Sequence, residues 1–195
     1  MRKRTYWWLL PALLLILVCG CELGQVDQGR VIAFDPQKGI VTLIQDKRAE
    51  PGNPDYNTLP PHTYKIPDDP AEMGPVPVAG KRLKLDVQAK EIVIFDDATQ
   101  NFKTIPFTII DMRTGIGRDH PLVKGKTFPI IDREKKTITE YSSRQRLLIT
   151  FTVADEYFNL PPETWEAGDE VRIYYKEPGK ALRLMNITRT DIYKK

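Results

Sequence analysis

The sequence predicts a mostly β protein: behind a short leader, two tandem small five-stranded barrels, with one continuous β-sandwich as the alternative arrangement. Three observations carry this. Helical periodicity is almost absent after residue 21. Short β-branched runs punctuated by Gly, Pro, Asp and Asn recur to the end of the chain, the pattern of a sandwich or barrel. The order of those runs is repeated in the second half, and a repeat of this length signals duplicated architecture.

In the first half, Arg30 to Phe34 and Ile40 to Ile44 flank Asp35-Pro36-Gln37-Lys38-Gly39, a hairpin in which Gly supplies positive φ. The 17 residues from Asp46 to His62 contain four prolines and read as an exposed loop. Thr63 to Ile66 is a strand, followed by a turn-rich stretch to Ala79 and by the strands Lys81 to Val87 and Glu91 to Phe95. Phe102 to Ile110 alternates less cleanly around Pro106, as an edge strand does, where a missing donor is tolerated.

The second half follows suit. Asp132-Arg133-Glu134-Lys135-Lys136-Thr137 parallels the turn at Asp35, and Thr150-Phe151-Thr152-Val153 parallels Thr63-Tyr64-Lys65-Ile66. Gly80 and Gly168 each open a further hairpin: Lys81 to Phe95 in the first half, Asp169 to Ile187 in the second, turning at Glu177-Pro178-Gly179-Lys180. Three strands, a turn-rich or briefly helical insertion and two more strands form an order that resembles the OB-fold, a five-stranded Greek-key barrel with a cap between its third and fourth strands. The resemblance implies that Leu160 to Trp165 caps the second barrel. The chain then divides into a leader, 1–20, a first β lobe, 21–112, a linker around Gly115-Ile116-Gly117, 113–125, and a second β lobe, 126–195.

The leader has Arg2, Lys3 and Arg4 ahead of an apolar run from Trp7 to Val18, a signal-peptide layout. A plain span needs roughly 20 apolar residues, so the run, broken by Pro11, is too short for one; an uncleaved membrane anchor is the alternative. Val18-Cys19-Gly20-Cys21 resembles the bacterial lipobox, apart from Cys19 at the second position. The resemblance implies diacylglycerol on the Cys21 thiol, removal of residues 1–20 and a cell-envelope protein facing the periplasm. Glu22, where an Asp would favour retention at the inner membrane, tilts the expectation toward the outer one. Two or three acyl chains anchor firmly, each buried methylene contributing about 0.8 kcal/mol.

Without residues 1–20 the chain carries 26 basic and 26 acidic side chains, so its basic isoelectric point belongs to the leader and gives no reason to expect nucleic acid. The balance is uneven: residues 21–112 hold 10 basic and 14 acidic side chains, residues 113–195 hold 16 and 12. An acidic half followed by a basic one suits docking or an anionic partner and says nothing about fold. Removal of residues 1–20 would leave Cys21, itself lipidated, as the one cysteine, so the mature chain is expected to have no disulfide.

Catalytic and metal-binding signals are weak. His62 and His120 are not at metal-ligand spacing, and Asp68-Asp69, Asp96-Asp97 and Asp155-Glu156 lack the alternation of a calcium loop. Ser142 and Ser143 sit in a hairpin turn without a nucleophile elbow. Gly115-Ile116-Gly117 lacks the third glycine and following helix of a phosphate loop. A binding surface is better supported, because Arg144, Arg146, Trp165, Arg172, Tyr174 and Tyr175 cluster in the second half, where an OB barrel would hold a ligand; the competing assignment has Trp165 plugging the barrel end. These features predict a non-catalytic binding or scaffolding module with a protein or glycan partner, no cofactor and no metal. The alternatives are an envelope hydrolase using carboxylates that meet only in space, and a module in which Arg144 and Arg146 grip an anionic polymer.

Overall fold

A computed structural model describes residues 23–50 and 53–190; Cys21 and the leader lie outside the described residues. Among the described residues the fold is mostly β, with twelve strands in three antiparallel sheets. The first sheet has the order β12-β11-β1-β2-β3, from β1 (Gln25–Asp35), β2 (Ile40–Gln45), β3 (His62–Lys65), β11 (Glu170–Tyr175) and β12 (Ala181–Asn186). The second is β4-β5-β6, from β4 (Arg82–Asp86), β5 (Glu91–Asp96) and β6 (Asn101–Pro106). The third is β7-β10-β9-β8, from β7 (Thr108–Thr114), β8 (Ile130–Asp132), β9 (Thr137–Ser142) and β10 (Leu147–Thr152). One helical turn, α1 (Asp155–Phe158), follows β10.

Among the described residues the predicted pair of closed barrels does not form: no sheet there closes on itself, and the arrangement is that of a sandwich. The first sheet comes nearest. Lys65 on β3 meets Lys180, just before β12, in a single parallel bridge, but the ladder stays open. The sheet combines the first three strands of the chain with the last two. The hairpin pairing with β1 is not Lys81 to Phe95 but β11–β12, in the register Gln25↔Tyr175 to Arg30↔Glu170. Gly168 permits this. A Cβ there would fall 1.9 Å from the Val31 carbonyl oxygen, so only glycine lets the chain leading into β11 lie against β1.

The displaced hairpin β4–β5 joins β6 and packs face to face with the third sheet. Leu85, Ile92, Ile94 and Ile105 from one side meet Ile138, Ile149 and Phe151 from the other, with Trp165 fully buried at the end of this core. Pro106 ends β6, and the chain resumes as β7 after Phe107, so one bent run edges two sheets. A smaller cluster of Ile32, Ile44, Leu83 and Phe95 joins the first sheet to the second.

The hairpins share one device. Asp35, Asp86 and Asp132 each accept two backbone N–H groups from the turn that follows, as Asp does in tight turns. The residue four positions on is left-handed each time: Gly39 at φ 63°, Lys90 at 57° and Lys136 at 52°. The parallel read between Asp35 and Asp132 is therefore a shared turn.

Candidate functional site

A cleft of about 560 Å³ lies where the first two sheets meet the β9–β10 turn. Its lining carries five cationic side chains, Arg30, Arg48, Arg82, Lys84 and Arg144, against one carboxylate, Asp55.

A bulge aims Arg82. The β1–β2 register shifts between Val31 and Ala33 and the β4–β5 register between Arg82 and Lys84. A bulge sets two residues against one and breaks the alternation of faces, so Arg82 and Leu83 are both buried. Arg82 Nε donates to the Trp165 carbonyl at 2.8 Å and Nη2 to Glu140 Oε2 at 3.0 Å. Glu140 is 1 % exposed, and burial outweighs the attraction of Arg82 to push its carboxyl up to about 7. Near neutrality it therefore cancels only part of the Arg82 charge.

Arg30 Nη1 donates to the carbonyls of Arg82 at 3.2 Å and Leu83 at 3.1 Å, and its guanidinium carbon sits 4.8 Å from the centroid of the Tyr56 ring. Among the described residues it forms no ion pair, and its buried Nε has no partner. Burial draws this guanidinium below its ordinary value. Arg144 pairs with Glu170, whose carboxylate also accepts from Gln28 Nε2 at 2.6 Å and Tyr56 Oη at 3.4 Å. Burial alone would lower the Arg144 guanidinium, but Tyr56 and Glu170 outweigh it and raise it. The outer cations are more exposed: Arg48 lies 4.0 Å from Asp55, and Lys84 lies 2.9 Å from Asp86.

The predicted surface is dispersed. Of its residues only Arg144 lines the cleft. Arg146, left-handed at φ 51°, turns away to donate to the Gly115 carbonyl at 3.2 Å. Trp165 is core, edge-on to Phe151 at 6.2 Å, and has no surface to offer a ligand. Arg172 is held by Gln28 Oε1 at 2.8 and 3.1 Å. Tyr174 lies over Gly24, and Tyr175 tilts against Tyr64 at 5.2 Å while donating to Gln25 Oε1. Four of the five cleft cations come from the acidic half, the opposite of the expectation from charge distribution.

Ser142 and Ser143 line the cleft, but neither histidine does. His62 Nδ1 lies 2.5 Å from Asp27 Oδ2, and His120 Nδ1 accepts from Leu122 N at 3.2 Å. The geometry therefore offers guanidinium forks and hydroxyls suited to an oxyanion, with no oriented base beside the two serines. Among the described residues no helix is long and apolar enough to cross a membrane.

Neither a curated protein nor a solved structure matches the chain. Residues 22–195 match the model of a domain of unknown function (DUF4881), and the chain belongs to that family.

Proposed function

We propose that this protein is a non-catalytic, lipid-anchored binding module of the cell envelope whose cleft takes an anionic ligand. The observation that carries the reading is the cleft itself, five cations against Asp55 with the Arg30 guanidinium left without a carboxylate. A planar guanidinium in a partly desolvated wall suits carboxylate, sulfate or phosphate. A hydrolase would need two carboxylates facing the ligand; Asp55 stands alone in the lining and faces Arg48. The anchor rests on the leader and on Val18-Cys19-Gly20-Cys21, and the family match beginning at residue 22 agrees with a leader set apart from the domain.

Calorimetry of the intact protein with galacturonate and with neutral galactose tests the cleft. Galacturonate binds, galactose does not, and raised salt weakens the binding, because exposed charges are screened beyond about 10 Å at 0.1 M. Arg48 and Lys84 are 51 % and 65 % exposed, so R48A/K84A lowers affinity several-fold without shifting the melting temperature. Equal binding of the two sugars, or binding indifferent to salt, refutes the reading. Fatty-acid labelling tests the anchor: C21A loses the label and the membrane fraction, and a variant that keeps both refutes it.

A further inference from the structure

A second cleft of about 480 Å³ adjoins the first, and the two share Tyr141, Ser143 and Thr188 in their walls. It too is cationic. Arg118, Lys126 and Arg189 line it, against Asp169. That carboxylate is occupied, since its Oδ2 pairs with Arg189 Nε at 2.8 Å and accepts from Val78 N at 2.9 Å and Asn186 Nδ2 at 2.8 Å. Arg118 and Lys126 form no ion pair with a carboxylate among the described residues; Arg118 reaches only the Ser143 hydroxyl, at 3.4 Å.

We propose that the two clefts are one groove, and that it binds a chain of an acidic glycan, with successive anionic groups at Arg30 and Arg144 in the first cleft and at Arg118 and Lys126 in the second. The proposal rests on the cationic cleft being a binding site, and adds that the ligand is a polymer and of what kind. Continuity is the first argument. The residues shared by the two linings, Tyr141, Ser143 and Thr188, all bear hydroxyls and none is acidic, so a ligand crossing between the clefts meets no carboxylate there. The neutral lining is the second. Ser142, Ser143, Asn53, Asn57 and Gln145 are hydroxyls and amides, suited to a polyhydroxylated chain between its charges.

Single-stranded nucleic acid has the same repeating charge but is held largely by stacking bases on exposed aromatic faces. The groove's aromatics are engaged: Tyr56 is buried under Arg30, and Tyr141 and Phe128 pack on each other at 5.9 Å.

The test uses the intact protein and oligogalacturonates from monomer to octamer, with a neutral galactan octamer and a thymidine oligonucleotide for comparison. Affinity rises with uronate length, and R118A/K126A removes that gain, about tenfold for each cation deleted, while leaving the monomer's affinity unchanged. Both side chains project from a loop, and an unchanged melting curve shows that the variant is folded. An octamer that binds no better than the monomer, or a gain that survives R118A/K126A, overturns the groove and leaves the cleft reading standing. If no uronate binds at all, both fall. Tighter binding of the oligonucleotide or the neutral octamer overturns the assignment to an acidic glycan.

Discussion

Glu140 makes the sharpest prediction of the fold. Its carboxyl is buried behind Arg82, one oxygen accepting from Nη2 at 3.0 Å and the other, Oε1, without a partner. Desolvation moves it from the ordinary 4.5 to about 7. Each decade of proton affinity is worth about 1.4 kcal/mol, so ionising this group in the folded state costs about 3 kcal/mol. The sign follows from linkage. Between pH 4.5 and 7 the folded chain holds this proton and the unfolded chain has released it, so stability falls as pH rises through that window and levels off above it.

E140Q imitates the protonated acid and removes the step. Urea unfolding followed by the fluorescence of the buried Trp165, repeated from pH 4 to 8, reads the difference. The variant matches the parent near pH 4.5 and exceeds its stability by about 3 kcal/mol at pH 8. Glu166, also raised by burial, titrates in both proteins, and because its charge helps to raise Glu140 the comparison reads Glu140 together with that coupling. Parallel profiles across the window would refute the reasoning.

Three further outcomes follow from the geometry. G168A, whose Cβ would meet the Val31 carbonyl oxygen at 1.9 Å, loses about 4 kcal/mol or more or fails to fold, whereas G117A, with nothing within 4 Å, changes stability by less than about 0.5 kcal/mol; thermal melting distinguishes them. K136G relieves a left-handed residue at φ 52° and stabilises by about 0.5 to 1 kcal/mol in denaturant titration. The buried Asp27 carboxylate is raised by burial, but the hydrogen bonds from Tyr64, His62 and Gln45 outweigh this and hold it below the usual range. Its stabilisation is thus full above about pH 4 and fades below, and D27N flattens that acid limb while costing about 1 to 3 kcal/mol at neutral pH, in the same urea series.

The strands were legible because each is a local pattern closed by a local turn. Asp35 with Gly39, and Asp132 ahead of Lys136, announce their hairpins through hydrogen bonds within a few residues. Pairing between distant strands carries no such signal. The hairpin after Gly80 and the one after Gly168 look alike in sequence, and both glycines are tightly packed, so nothing local marks which hairpin lies on β1. The cleft was hidden for a related reason. Arg82 sits in Lys81-Arg82-Leu83-Lys84-Leu85, where strict alternation sends it to solvent, and the bulge that turns it inward leaves no trace in residue type. Trp165 misled in the other direction: an aromatic among arginines resembles a ligand platform, yet its whole surface is spent closing a core.

The segment Gly168-Asp169-Glu170 ties these observations together. Gly168 brings the chain against β1. Asp169 then gathers Val78, Asn186 and Arg189 at the second cleft, and Glu170 gathers Gln28, Tyr56 and Arg144 at the first. Three consecutive residues thus bring the exchanged strands onto β1 and hold one cation of each cleft, Arg144 in the first and Arg189 in the second. The two carboxylates are 6 % and 7 % exposed, so each is committed to its partners; Glu170 lies behind the first cleft and Asp169 forms part of the wall of the second. Burying acids whose charges are met from within lets a chain of 29 basic and 26 acidic side chains present a mostly cationic surface in one place. The cationic groove is then a consequence of where the acids are hidden, and the overall charge of either half of the sequence could not have foretold it.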